Sequence, residues 1–247
     1  MHILHTCVLC YAVEAVYANT GWLLQAHNRF WSNETVYATQ NGGKFDFIFD
    51  VSTGSAVPTQ QSFWDFLLGA PTAAWGLRVY EQDWLWNLFG QESRRVWPLL
   101  ESVSLGRSWL MQMGQAASKS GVTVQYCMPH MRQILQSLEV AAVTQVRASG
   151  DYLLNPEQWR IGGQSILLNA LGVWPSKDGY WSTERQDGSP YAARVGEPAP
   201  RRQAAVASLS GGPVAVGDGI FHADSELILR ACMQVRLDCS ALCCIVM

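Results

Sequence analysis

The sequence predicts an α/β fold in which a parallel sheet is covered by helices. Three observations carry that expectation. Short apolar or β-branched runs alternate with segments of helical periodicity, and strand follows strand only at one excursion. Two acidic motifs, Val79-Tyr80-Glu81-Gln82-Asp83-Trp84 and Val146-Arg147-Ala148-Ser149-Gly150-Asp151-Tyr152, each place an Asp just after such a run, where a parallel strand hands over to a loop. The spacing of those two Asp leaves room for about two βα units of ~30 residues each. Hydrophobic residues make up 49% of the 247 residues and charged residues 15%, so the chain has a large core to bury and is long enough for one large α/β domain.

Taken in order, Gly21 to Ala26 reads as a short buried strand, followed by His27-Asn28-Arg29-Phe30-Trp31. Asn41-Gly42-Gly43 precedes a stretch of alternating Phe, Phe45 to Asp50, which predicts an excursion with a hairpin turn outside the main repeat. Pro58 opens a helix carrying Phe63, Trp64, Phe66, Leu67 and Leu68, and Gly69 with Pro71 closes it. Leu77 to Tyr80 is the next strand. A helix from about Ser104 follows, with Leu105, Trp109, Met113, Ala116 and Ala117 on one face and Ser120-Gly121 at its end.

Val122 to Tyr126 is a strand leading into Cys127-Met128-Pro129-His130. A helix over about Met131 to Leu138 comes next, then the strand Ala142 to Val146. Trp159 to Val173 is helical, and Trp174 to Trp181 is a loop at a strand end. Residues 185–204, polar and rich in Pro, Gly and Arg, predict a loop or a frayed helix. Gly211 to Val216 is a last strand with Gly217-Asp218-Gly219 as its exit turn, and Asp224 to Met233 is a helix.

Several classes are disfavoured. A net charge of −3 gives no broad field for nucleic acid or an acidic membrane surface. No apolar run reaches the ~18 residues of a transmembrane helix. The seven Cys have no zinc-ribbon spacing, and Cys7-x-x-Cys10 stands without a second pair, so no metal is expected. The first residues end Val16-Tyr17-Ala18, like a signal-peptide cleavage site, but Glu14 interrupts the apolar stretch and no basic region precedes it.

In a parallel sheet the catalytic groups gather at the carboxyl ends of the strands, because the loops there form the concave face. The candidates at such ends are His27, Trp31, Glu81, Asp83, Trp84, His130, Arg147, Asp151, Asp178, Trp181 and Asp218. One acid at a loop start is commonly a solvated side chain or a helix cap; a series of them, strand after strand, points to a site. Burial explains many of the 11 Trp, but Trp31, Trp84, Trp174 and Trp181 flank these motifs, where aromatic faces can stack on a sugar. Paired carboxylates suit glycoside hydrolysis, in which one attacks the anomeric carbon and the other moves the proton.

These motifs resemble the raffinose synthase and α-galactosidase clan. The resemblance lies in Gln125 to His130 followed by Arg147-Ala148-Ser149-Gly150-Asp151-Tyr152, and in Ser210-Gly211-Gly212-Pro213-Val214-Ala215-Val216-Gly217-Asp218 with His222 and Glu226 to Leu229 after it. It spans residues 22–233, leaving 1–21 unassigned and 234–247 as an unrelated tail. It implies a TIM (β/α)8-type barrel of which strands three to eight are recognisable, so that the barrel is incomplete and its open edges invite self-association. It implies a retaining glycoside hydrolase or transglycosidase acting on α-galactoside-type sugars, with Asp83 as nucleophile, Asp151 as acid/base, Arg147 binding substrate, and neither metal nor organic cofactor. His27, Trp31, Glu81, Trp84, His130, Asp178, Trp181 and Asp218 are the further expected sugar contacts.

One departure from that pattern is chemical. Glu81 stands where the clan has Lys, two residues before the nucleophile, so two carboxylates share one face and one of them is expected to keep its proton. With the missing strands, this favours the alternative of a catalytically inactive fragment or a carbohydrate-binding or structural protein. The tail ends Cys243-Cys244-Ile245-Val246-Met247, a prenylation box at Cys244 with no polybasic second signal.

Overall fold

The computed structural model describes residues 8–69, 72, 74–90, 94–152, 161–187 and 196–231. Cys7, Trp159 and the tail with its Cys244 lie outside the described residues. The chain divides into two compact units, one running through Thr144 and the other starting at Gln145. Among the described residues no helix is long and apolar enough to cross a membrane.

Helix α1 (Val8–Thr20) leads into β1 (Leu24–Asn28). The expected excursion is a separate antiparallel sheet, ordered β2-β4-β3, of β2 (Trp31–Ser32), β3 (Phe47–Asp50) and β4 (Ser55–Pro58). Its hairpin turns after Asp50, not at Asn41-Gly42-Gly43. Asp50 accepts hydrogen bonds from the Ser52 amide (3.0 Å) and hydroxyl (2.5 Å), a side-chain turn that the alternating Phe residues do not announce. Helix α2 (Gln61–Leu67) buries Phe63 and Trp64 completely. Trp31 meets Phe63 edge-on at 5.0 Å and Phe47 at 6.3 Å, which makes it part of this aromatic core.

The main sheet is parallel, its strands ordered β1, β5 (Leu77–Gln82), β6 (Thr123–Tyr126), β7 (Val143–Arg147) and β8 (Trp174–Ser176). Strand β5 (Leu77–Gln82) is followed by the short helices α3 (Leu85–Phe89) and α4 (Trp97–Glu101). Helix α5 (Val103–Lys119) starts where Ser102 accepts the Leu105 amide, and turns Trp109, Leu110, Met113, Ala116 and Ala117 into the core. Strand β6 (Thr123–Tyr126), helix α6 (Met131–Gln136) and strand β7 (Val143–Arg147) follow.

In the second unit β7 pairs with β8 (Trp174–Ser176), Arg147 opposite Ser176. Helix α7 (Ile161–Ala170) lies against β8, and helices α8 (Pro200–Leu209) and α9 (Ser225–Ala231) pack together around a small core of Tyr180, Ala204, Ala207 and Leu227. Helix α8 occupies the end of the stretch expected as loop or frayed helix, with Pro200 preset for its first turn. Gly211 to Val216, expected as a strand, contributes one parallel bridge, between Val216 and Tyr180.

Helix α7 offers a stability prediction. Gly163 is exposed, its φ is not left-handed, and a Cβ there would touch nothing within 4 Å. Gly163→Ala should stabilise the protein by about 0.5–1 kcal/mol through the entropy of the unfolded chain. A melting temperature below that of wild type would contradict this placement of the helix.

Candidate functional site

In the first unit the site grows from the carboxyl ends of β1 and β5. The parallel register sets His27 beside Glu81, and Glu81 beside Gln125, so these three side chains share one face of the sheet. Asp83 continues that face, because its amide still donates to the Asn28 carbonyl (2.8 Å) and keeps the ladder going past β5. Gln82 points to the other face, where its amide group donates to the carbonyls of Arg29 (3.2 Å) and Asp83 (3.0 Å) and pins the exit of the strand.

Asp83 is buried and surrounded by donors. Oδ2 lies 3.0 Å from His27 Nε2 and 3.8 Å from Arg29 Nε, and Oδ1 accepts the Trp84 amide at 2.7 Å. The Cys127 thiol, at the exit of β6, also hydrogen-bonds to this carboxylate. Burial by itself raises the Asp83 pKa, but the bonds from His27, Cys127 and Trp84 outweigh it and hold the group below its ordinary 3.8. Asp83 is therefore not the carboxyl that keeps a proton beside Glu81. Glu81, also buried, accepts the Gln25 side-chain amide at 2.6 Å.

The bond to Asp83 raises the pKa of His27 above its ordinary 6.5, against the opposing effect of burial and with help from the nearby Glu81 charge. The cation so favoured stands between two acids. Trp84 completes the turn with φ of 56°, a left-handed conformation that costs a non-Gly residue energy. Its ring stacks on Phe30 at 5.7 Å and carries the Arg29 guanidinium at 5.2 Å. Met128, at the exit of β6, is left-handed too (φ 47°), and the Trp86 amide donates to its carbonyl at 2.6 Å. His130 is exposed and starts α6, its amide bonded to the Gln133 side chain.

The His27–Asp83 pair fixes a pH dependence. Asp83, lowered on folding, stabilises the protein above its ordinary 3.8, and that contribution is lost as pH falls through its depressed value. His27, raised on folding, stabilises below its ordinary 6.5, and its contribution is lost as pH rises through the elevated value. Histidine NMR titration should thus give His27 a midpoint above 6.5, falling to 6.5 or below in Asp83→Asn, where only burial and weaker charges remain. An unchanged midpoint in the variant would show that the pair does not form.

In the second unit the expected residues meet at the ends of β7 and β8. Arg147 donates through Nη2 to Asp151, through Nη1 to Asp178 (3.3 Å) and through Nε to the Ser149 carbonyl (3.2 Å). The Asp151 carboxylate is 76% exposed, whereas Asp178 is mostly buried and accepts the Tyr152 amide at 2.5 Å. Trp181 is buried edge-on to Tyr152, and Asp218 ties the loops together by accepting the Ser182 amide (2.8 Å) and hydroxyl (2.5 Å) and the Gln186 amide group (2.8 Å).

Three participants are not evident from sequence. The Tyr152 hydroxyl donates to Glu197 at 2.5 Å, and Glu197, itself buried, also accepts the Ala199 amide and the Gln203 side chain. Lys177 is 3% exposed, with Nζ 4.9 Å from the centre of the Tyr152 ring and 5.8 Å from that of Tyr180. Burial pushes its pKa down to about 8, against the attraction of Asp178 and Glu197. The signal for Lys177 was its place in the loop after β8, one residue before Asp178. Nothing local announces Tyr152 with Glu197, which lie far apart in the chain.

Among the described residues no group of three or more His, Cys, Asp or Glu could hold a metal ion. Comparison with family models, curated proteins and solved structures finds no match to the chain.

Proposed function

We propose that the protein is a retaining glycoside hydrolase or transglycosidase acting on α-galactoside-type sugars, its parallel sheet belonging to a (β/α)8-type barrel. The observation that carries the reading is Asp83: a buried carboxylate at a strand's carboxyl end, kept ionised by His27, Cys127 and the Trp84 amide. A nucleophile must be charged at working pH and partly stripped of water, and this environment supplies both. Asp83 attacks the anomeric carbon and forms a covalent glycosyl-enzyme. The acid/base role, which the sequence resemblance assigns to Asp151, is to protonate the leaving oxygen and then deprotonate the incoming water or sugar hydroxyl. His27 supplies a donor for ring hydroxyls, and Trp84 an aromatic face.

Sugar binding without turnover is the second reading. It is favoured by Glu81, a second acid on the Asp83 face that would repel a developing carboxylate charge, and by the donors already on both Asp83 oxygens. Hydrolysis of an aryl α-galactoside at a rate that Asp83→Asn abolishes supports the first reading. Saturable galactoside binding with no turnover supports the second, and neither binding nor turnover rejects both. The outer edges of β1 and β8, unpaired among the described residues, are the proposed surfaces for self-association, and light scattering on purified protein at several concentrations tests them.

A further inference from the structure

Lys177 is a buried charged side chain that is weakly hydrogen-bonded among the described residues. An ammonium has three N–H donors, and ordinary N–H bonds to oxygen measure about 2.7–3.2 Å. Here Nζ reaches the carbonyls of Asp178 at 3.3 Å and Gly179 at 3.4 Å, both long. Among the described residues no carboxylate lies within ion-pair distance of it. Asp178 turns its carboxylate to Arg147 and the Tyr152 amide, and Glu197 turns its own to Tyr152, Ala199 and Gln203. The faces of Tyr152 and Tyr180 offer the remaining stabilisation, which favours a cation but does not replace a hydrogen bond. The Tyr152 phenol stays protonated, since burial and the bond to Glu197 both raise its pKa.

A buried amine in this situation gives up its proton under mildly alkaline conditions and exposes a nitrogen lone pair. The groups that oppose or assist that loss are all close: Asp178 and Glu197 attract the ammonium, Arg147 repels it, and burial dominates. The chain holds only two other lysines, Lys44 and Lys119, and both are exposed. Lys119 is further tied to Asp65 by an ion pair of 3.0 Å.

We propose that Lys177 is a nucleophilic amine and the site at which this protein forms an imine with an aldehyde. The neutral amine attacks the carbonyl carbon, forming a C–N bond while the carbonyl oxygen takes a proton. The resulting carbinolamine then loses that oxygen as water, and the nitrogen gives up its remaining proton. Amine and aldehyde thus become imine and water, with no oxidant or reductant. The inference does not depend on the glycosidase reading, because it involves no glycosidic bond and neither of the two proposed catalytic carboxylates.

The test treats the intact protein with a small excess of pyridoxal between pH 6.5 and 10, traps imines with cyanoborohydride, and locates the adduct by peptide mass spectrometry. The three lysines are their own internal controls. The expected result is at least tenfold more trapping at Lys177 than at Lys44 or Lys119 at pH 8, with a labelling midpoint near pH 8 for Lys177 alone. Lys177→Arg, which keeps a cation against Tyr152 and Tyr180, should retain a cooperative melting transition and lose this adduct. Equal labelling of the three lysines overturns the proposal. So does protection of Lys177 in folded protein with labelling only after denaturation, which would make it a structural cation.

Discussion

Asp83→Asn should lower the turnover of an aryl α-galactoside by roughly 10⁴-fold or more, the scale expected when a nucleophile is deleted. The amide keeps the size; its oxygen can still accept the Trp84 amide while its NH2 faces the ring nitrogen of a neutral His27, so the loss would report chemistry and not unfolding. Asp151→Ala should behave differently. General acid catalysis contributes about 10²–10⁴-fold, and that help is needed least when the leaving group is already a good one. The Asp151 variant should thus lose little on a nitrophenyl glycoside and much on an alkyl glycoside, while Asp83→Asn fails on both. Equal, small losses from both changes would place the chemistry elsewhere.

Gly212→Ala should be strongly destabilising in the second unit. A Cβ at Gly212 would stand 1.7 Å from the Pro175 carbonyl oxygen and 2.4 Å from its carbon, with Ser176 N at 3.1 Å. These are backbone atoms of β8, which cannot swing aside as a side chain can. The strand must move instead, and with it the loop that holds Lys177 and Asp178. A destabilisation of at least about 2 kcal/mol is expected, at the upper part of the range for overpacking. Chemical denaturation measures it, with Gly163→Ala as the control in which a methyl meets empty space. A Gly212→Ala protein as stable as wild type would mean that the chain after α8 does not pack on β8.

The close approach at Gly212 also shows what the sequence can and cannot express. Its Gly-Gly-Pro pattern marks the position and predicts a strand over Gly211 to Val216; the backbone instead makes one bridge, between Val216 and Tyr180. Periodicity served best where one segment decides its own structure, as in α5, whose Ser102 cap and Trp109-Met113-Ala116 face are both local signals. Over 185–204 composition leaves loop and frayed helix open, and Pro200 begins a helix there that runs through Leu209. Its place after a strand makes Trp31 an expected sugar contact. It joins the Phe47–Phe63 aromatic core, a partnership set by the excursion sheet and α2 together.

The candidate site was legible to a similar degree. Strand-end spacing located Asp83, His27 and Arg147, since chain position alone puts such residues at the carboxyl ends. The tuning of Asp83 was not legible. The sequence suggests that Glu81 and Asp83 compete for a proton. The parallel register instead inserts His27 from β1, and the exit of β6 brings the Cys127 thiol, so Asp83 stays charged. Those partners come from two other strands and depend on strand order, which no single segment encodes.

The central claim is that Asp83 is a nucleophile toward an anomeric carbon. Its most direct measurement is incubation of the purified protein with a galactose-configured cyclitol epoxide, which esterifies a glycosidase nucleophile, followed by intact-mass and peptide mass spectrometry. The account predicts one adduct per chain, on the peptide carrying Asp83, absent in Asp83→Asn and suppressed by free galactose. No adduct, or an adduct that persists in Asp83→Asn, would contradict it.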